Sequence, residues 1–408
     1  MTVGVAAPTR TPAGARLAGF HLACFGLLIA NIAYLAALAI AHGWILDDRG
    51  APIHTDFTSV YAAGRLALEG NAAAAYDWTL HYLAENAVSA HSAVDYLGWH
   101  YPPPFLMIAA LLATLAYTPA FLVWIAATLP LYLVAIRAIV GDRIGWLVGG
   151  AFPCLLPNVI PGQNGFLTAS LIGGALAFLE RNPVVAGFCL GLLTYKPQFG
   201  ILFPLLLAAG GHWRAIGAAA ITAAALGLAT ILVFGTSPWI EFLHWLPRTS
   251  RALFSGESQI PTEWYKFQSM YALVRLLGGG ATLAWAVQLA LAAATTIALG
   301  VLWRRDRLPY ELKAAATATG VLLVTPYVYL YDLTVLAVAA AFLIRLAVVS
   351  GFARGEAAGL ALIVALFLFM PFFAVPVGLP AAAIMVALMV RRAYSSRGRP
   401  GAEGLVAI

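Results

Sequence analysis

The sequence predicts an all-α polytopic membrane protein, and three observations carry the fold class. Of its 408 residues 62% are hydrophobic and only 10% charged; the mean hydropathy of +0.87 lies far above that of soluble domains. Apolar runs long enough to cross about 30 Å of hydrocarbon recur from Arg16 to Arg391, and helices satisfy their backbone within each span. The alternating segments of about ten residues that a β-barrel needs are absent from the sequence.

Taken in order, residues 1–16 form a small polar tail with Arg10 and Arg16, expected in the cytoplasm. The apolar run 17–41 is too long for the core of a secretory signal and reads as an uncleaved first helix. Residues 42–118 follow as a first outer loop, where Asp47, Asp48, Asp56, Glu69, Asp77, Glu85 and Asp95 outnumber Arg49 and Arg65. Basic residues cluster elsewhere between spans, at Arg137 with Arg143, Arg181, Arg214, Arg304 with Arg305 and Arg307, and Arg391 with Arg392. That is the positive-inside distribution, so the net charge of +6 carries no sign of a nucleic-acid partner. The acidic loop is expected on the periplasmic or extracellular side of an inner (plasma) membrane.

Crossing parity tests this threading. If both 103–116 and 119–139 crossed, every later basic cluster would be inverted, so "YPPPFLMIAALLATLA" reads as a short helix started by its prolines and half-embedded on the outer side. The remaining spans are 119–139, 145–160, 164–179, 183–195, 198–210, 214–234, 281–303, 312–326, 330–348, 356–370 and 372–390, which with the first helix make about twelve. Residues 17–390 thus form a single transmembrane domain, with a second outer loop at 235–280 and a cytoplasmic tail at 391–408. Cys24, Cys154 and Cys189 all sit in apolar runs, where inert buried thiols are expected and neither a disulfide framework nor a metal site is.

The same threading puts "PGQNG" at 161–165, "YKPQ" at 195–198, "TPYVYLYD" at 325–332 and "ESQIPTEWYKFQS" of the second outer loop on the side of Asp56. Polar groups are costly in hydrocarbon, and a set converging on one face predicts a shared wet site. Asp56 stands in "IHTDFTSVYAAGRLALEG", beside His54 and followed at helical spacing by Tyr61, Arg65 and Glu69. A helix from Phe57 to Leu68 capped by Asp56 and an Arg65–Glu69 ion pair would account for these residues without chemistry. Lys196, flanked by "LGLLT" and "FGILFP", has no carboxylate within a helical turn, so it must snorkel to the headgroups or meet an anion such as a ligand phosphate. Gln163, Asn164 and Gln198 are candidates for sugar hydroxyls; Trp264, Tyr327 and Tyr331, with Tyr329 and Tyr265, are candidate aromatic contacts. A turn, interfacial aromatics and a helix-capping Asp332 are their structural alternatives.

"DFTSVYAAGRLALEG…YD", "YPPPF", "GQNGFLTASLIGGALAFLERNPVVAGFCLGLLTYKPQ", "HWRA" and "FQSMYALVRLLG" together resemble glycosyltransferase family 87, over most of residues 17–390. The resemblance implies a GT-C membrane enzyme akin to polyprenol-phosphate-mannose-dependent α-mannosyltransferases. It implies that an Asp in the first outer loop, here Asp56, is general base on the acceptor hydroxyl, and that the donor is a sugar on a polyprenyl phosphate. The expected reaction is an inverting hexosyl transfer, of mannose first, to a glycan or glycolipid acceptor. Phosphate leaves without a second acid, so one carboxylate and one cation suffice, with neither metal nor cofactor. Lys196 is the first choice for the donor phosphate and Arg65 the second; His54, Tyr61, Gln163, Asn164, Gln198, Trp264, Tyr327 and Tyr331 are the expected substrate contacts. The rival class is a transporter or flippase of lipid-linked sugars, which also carries intramembrane charge, but no convincing internal repeat is found.

Overall fold

The structure, a computed structural model, describes residues 12–89, 96–254, 264–305, 308–373 and 375–397. The tail up to residue 11, Asp95, residues 257–263, Arg307 and the tail from residue 398 lie outside the described residues. Every regular element described is helical, and two antiparallel bridges, Leu46–Pro52 and Phe267–Tyr329, are isolated. The chain is a polytopic membrane protein.

The first helix, α1 (Pro12–Ile40), leads to a loop region holding α2 (Asp56–Leu68), a 3-10 turn (Ala72–Ala75), α3 (Trp78–Ser89) and α4 (Pro104–Ala113). The bundle continues with α5 (Tyr117–Val140), α6 (Ile144–Ala151), α7 (Leu155–Val159), α8 (Gly165–Phe178) and α9 (Pro183–Leu192). Next come α10 (Pro197–Gly200), α11 (Phe203–Ala209), α12 (Trp213–Phe234), α13 (Ser237–Phe254) and α14 (Met270–Leu276). The chain closes with α15 (Ala281–Trp303), α16 (Tyr310–Val324), a 3-10 turn (Leu330–Thr334), α17 (Val335–Ser350), α18 (Glu356–Phe373) and α19 (Gly378–Arg397).

Among the described residues five helices are long and apolar enough to cross a membrane: Ala18–Ile40, Tyr117–Val140, Trp213–Phe234, Ala281–Trp303 and Leu330–Ser350. The predicted span 145–160 is broken between α6 and α7 around Pro153, and 198–210 between α10 and α11, where Pro204 opens a new first turn. Proline removes an intrahelical donor and clashes with the preceding turn, so both breaks follow from the residues. The prolines of "YPPPF" start α4, whose 10 residues reach about 15 Å, half of a crossing. This helix is instead packed on α2: a Cβ on Gly64 would meet the Ala109 carbonyl oxygen at 2.1 Å, so only glycine lets the two backbones approach this closely.

Several helices turn the same end toward one polar cluster. α5 starts with Tyr117 against Phe57, ring centroids 5.5 Å apart, and ends where the Arg345 guanidinium donates to the Ile139 carbonyl at 3.1 Å. α17 starts beside Asp332 and ends near Ser350, where Arg392 meets Ser350 at 2.5 Å and Glu356 at 2.6 Å. α16 runs the other way, from Tyr310, bonded to the Leu176 carbonyl near the far end of α8, up to Thr325. Cys24 and Cys154 are buried free thiols, while Cys189 is half-buried rather than enclosed as expected.

Candidate active site

Asp56 is the first residue of α2, and the cap is Thr55, not Asp56 as the capping alternative had it. The Thr55 amide donates to the Thr58 hydroxyl at 3.1 Å, and the Phe57 amide is taken by the Pro161 carbonyl at 3.0 Å. With these groups satisfied, the Asp56 carboxylate is released from local capping duty. The Pro161 bond also docks the "PGQNG" turn onto the start of α2. Gly162 sits at φ +69°, where a Cβ would lie 2.7 Å from that of Phe57, and its carbonyl takes the Trp124 indole N–H at 2.9 Å. This close turn aims Gln163, which donates a hydrogen bond to Asp56. Burial pushes the Asp56 pKa above the ordinary carboxylate value, against the opposing effects of Gln163 and of the charges of Lys266, Lys196 and His54.

Asn164, next in chain, is buried and donates to the Tyr101 hydroxyl at 2.7 Å, leaving its own Oδ1 without a hydrogen-bond partner. The charges of Asp56 and Asp332 both act on Tyr101 and Tyr329. Tyr331 stacks on Tyr329 at 5.4 Å, and Tyr327 meets Tyr329 edge-on at 5.3 Å. The second loop joins the cluster through a pinned segment. The Gln268 amide donates to the Val328 carbonyl at 2.7 Å, Phe267 bridges Tyr329, and the Gly378 amide donates to the Gln268 side chain at 2.9 Å. The 3-10 turn Trp264–Lys266 lies directly before it, which brings the Lys266 charge to bear on Asp56.

Asp56, Gln163, Asn164, Lys196, Tyr327, Tyr331 and Asp332 therefore meet at one end of the bundle, although Asp56 and Asp332 stand 276 residues apart along the chain. Several individual expectations are corrected. Lys196 has a carboxylate partner, Asp332, 136 residues away in sequence: Nζ lies 2.6 Å from Oδ1, with both side chains almost wholly buried. Its ammonium also lies 4.8 Å from the Tyr331 ring centroid. It does not snorkel: Asp332 meets its charge within the protein. Asp332 performs both tasks at once, because Oδ2 accepts the Tyr329 amide at 3.0 Å as the capping alternative supposed.

Arg65 pairs with Glu69 at 3.2 Å, both more than half exposed; nine residues beyond Asp56, it is about 13 Å up the helix axis and outside the cluster. Tyr61 is buried against Phe57 and Tyr117, and its hydroxyl donates to the Leu115 carbonyl at 2.8 Å, so it has no donor left for a sugar. Trp264 packs on Tyr271 and under Arg275, whose guanidinium is 5.0 Å from the ring. His54 and Gln198 are half-buried; His54 adds its charge to the field on Asp56, and Gln198 lies on α10 just past Lys196.

Sequence reasoning missed Lys266 and Tyr101. Lys266 was legible as the cation of "EWYKFQ" and Tyr101 as the polar end of "YPPPF", but only the fold brings them to Asp56. It also missed α13, whose Phe242 packs on Tyr76 and whose Trp245 packs on Trp78, at 5.7 and 5.6 Å. Arg248 lies over both tryptophan rings, tying the second loop to the first.

Comparison with known proteins adds three findings. The family model of glycosyltransferase family 87 matches residues 99–326, more than half of the chain. The fluoride-specific ion channel FluC of Escherichia coli O1:K1 / APEC is 32% identical over 120 residues, 25% of this chain and 95% of that protein. FluC of Pseudomonas syringae pv. maculicola is 29% identical over 127 residues, 26% of this chain and 96% of that protein. This likeness takes in about a quarter of an apolar chain, where hydrocarbon restricts the choice of residues in any protein. No solved structure matches.

Proposed function

Because the chain belongs to glycosyltransferase family 87, and is thus a membrane glycosyltransferase, we propose that it moves a hexose, mannose first among them, from a polyprenyl phosphate to an acceptor hydroxyl on the periplasmic side. The observation that carries this reading is Asp56: a largely buried carboxylate, freed from capping by Thr55, oriented by Gln163 and lying in the field of Lys266 and Lys196. Burial brings its basicity closer to that required of a general base near neutral pH. The acceptor O–H proton passes to Asp56 while the acceptor oxygen bonds to the anomeric carbon. The bond from that carbon to the phosphate oxygen breaks on the opposite face, and the electron pair leaves on the phosphate. The product has inverted configuration.

In this scheme the donor carries its own activated leaving group, and a fixed positive charge facing it lowers the barrier. Lys266, whose charge acts on Asp56 from the second loop, takes that role. Asn164, with an unsatisfied buried Oδ1, accepts from a sugar hydroxyl, and Tyr329 and Tyr331 form the wall for the sugar or the first prenyl units. With the 42–118 loop on the outer side, as its acidic bias supports, this cluster lies at the outer leaflet, the level of a lipid-linked phosphate.

The test uses purified protein in lipid with a radiolabelled polyprenyl-phosphate hexose. Polyprenyl phosphate is released only when an acceptor is present, and Asp56→Asn abolishes release while donor binding stays within about threefold of wild type. Turnover that tolerates the substitution removes Asp56 as the base. Movement of intact lipid-linked sugar across the bilayer without cleavage would favour the flippase reading instead.

A further inference from the structure

The site is assembled from two parts of the chain that must keep a fixed distance. The turn at 161–165 carries Gln163 and Asn164 to Asp56, and the 3-10 turn Leu330–Thr334 carries Tyr331 and Asp332. A sugar held between Asn164 and the tyrosine wall needs both turns in place, because the base acts only on a hydroxyl within hydrogen-bond reach. Asn158, on α7, stands at the joint between them and is fully buried.

On one side of the joint the Asn158 backbone carbonyl accepts the Gln163 amide at 2.9 Å. On the other, its Nδ2 donates to the Thr334 hydroxyl oxygen at 2.8 Å and to the Tyr331 carbonyl at 3.1 Å, and it also donates to the Cys154 carbonyl at 2.8 Å. The Thr334 hydroxyl turns its own proton to the Tyr331 carbonyl at 2.7 Å. Two N–H groups serve three acceptors, so one points back to Cys154 and the other is shared between Thr334 and Tyr331. Two of these acceptors are carbonyls, which fixes the orientation of the amide: flipped, it would set Oδ1 against both. Oδ1 faces Gly165 instead, where a Cβ would lie 2.4 Å from it and 2.3 Å from the Tyr331 carbonyl oxygen, so only glycine lets the first residue of α8 come this close. Oδ1 has no hydrogen-bond partner among the described residues, a cost that leucine, an apolar side chain of similar shape, would avoid. Packing alone therefore does not account for an amide at this position.

We propose that Asn158 is a positioning residue for sugar transfer: it ties the turn that carries Gln163 to the turn that carries Tyr331, and so sets the gap between Asp56 and the tyrosine wall. The inference rests on the reading of Asp56 as base and of Tyr329 and Tyr331 as that wall. With its amide protons and carbonyl engaged and Oδ1 against Gly165, Asn158 acts through the two turns and not on the substrate. None of these hydrogen bonds reaches the second loop, which carries Lys266.

Asn158→Leu keeps the shape and removes the donors. In purified protein in lipid it is expected to lower kcat with a radiolabelled polyprenyl-phosphate hexose by roughly ten- to a hundredfold, the penalty of a base misplaced by about 1 Å, while binding of polyprenyl phosphate without the sugar stays within about threefold. On a Gln163→Leu background, where Asp56 has already lost its orienting bond, the same change should lower kcat by less than about threefold more. Thr334→Val removes only the hydroxyl between Asn158 and the Tyr331 carbonyl. It is expected to lower kcat about three- to tenfold with the same dependence on background, and it carries the test if Asn158→Leu does not fold. A folded Asn158→Leu that keeps kcat within about threefold, losses that multiply in full with Gln163→Leu, or an equal loss of affinity for polyprenyl phosphate overturns the proposal. Hydrogen exchange by mass spectrometry on the same proteins separates this failure from that of the transferase reading. Asn158→Leu is expected to cost residues 163–165 and 330–334 roughly tenfold of their protection together. Unchanged exchange overturns the joint. Lost protection with no sugar transfer by wild type leaves the joint standing and sinks the transferase reading, and with it the role in catalysis.

Discussion

Replacing Lys196 with methionine is expected to destabilise the protein far more than it weakens donor binding. The Lys196–Asp332 contact is 2.6 Å long and 97–99% shielded from solvent, since the side chains are 3% and 1% exposed. Without the ammonium, Asp332 keeps only the Tyr329 amide, at 3.0 Å, against the loss of hydration of a full charge. Breaking a buried pair by removing one partner costs about 3–5 kcal/mol, and the packing of Nζ over the Tyr331 ring, at 4.8 Å, puts the loss toward the upper part of that range. The neutral double variant Lys196→Met/Asp332→Asn removes both charges, while the asparagine can still accept the Tyr329 amide. It is expected to return to within about 1–2 kcal/mol of wild type although removing either partner alone costs about 3–5 kcal/mol, a coupling of at least about 4 kcal/mol. Unfolding monitored in a fixed detergent and lipid mixture for the four proteins of the cycle measures this coupling. Binding of polyprenyl phosphate, measured on the folded double variant, separates strut from ligand: affinity within about threefold of wild type is expected if Asp332 is the counter-ion. A single variant as stable as wild type, or a well-folded double variant that has lost the phosphate about a hundredfold, refutes the reasoning.

Arg65→Ala should leave turnover intact and change stability by about 0–1 kcal/mol, because the Arg65–Glu69 pair is more than half exposed on both sides; matched kinetics and unfolding check this. Stability should also fall with pH through the Glu85 window. Glu85 titrates at about 7 in the folded chain against an ordinary 4.5, so the folded state binds the proton more tightly. The contribution is complete below about 4.5 and is lost as pH rises through about 7, at most about 3 kcal/mol, and Glu85→Gln removes this slope.

What could be read from the sequence follows from how far each signal reaches along the chain. Hydropathy and charge bias are local, so the apolar segments, the acidic loop and the short proline-led α4 were all legible. The breaks at Pro153 and before Phe203 were legible too, since the prolines are there, but window hydropathy averages across them. The cap was missed by one residue, because Thr55 and Asp56 are both good caps and only the Thr58 hydroxyl decides between them. α13 escaped because a helix with Glu241, Arg248 and Arg251 reads as a polar loop until Tyr76 and Trp78 supply its apolar partner. The Lys196–Asp332 pair spans 136 residues, and no periodicity or spacing rule links two single charges at that distance. The same long range hides Lys266, which reaches Asp56 only because Phe267 and Gln268 are pinned to residues 328–329.

The pairing pattern also narrows which protons can move. Lys196 and Asp332 neutralise each other, Arg65 and Glu69 do so in solvent, and Arg392 with Glu356 closes the far end of the bundle. Among the described residues Asp56 and Glu85 remain as carboxyls raised by burial, and the charge of Asp56 acts on Glu85. Asp56 must be ionised to accept a proton, and repulsion between the two carboxyls favours the state in which one is charged and the other is not. Transfer should then rise with pH as Asp56 ionises. Glu85→Gln keeps a neutral group in place of Glu85 and should leave that acid limb in place. Loss of the acid limb in Glu85→Gln would mean that Glu85, not Asp56, had been titrating.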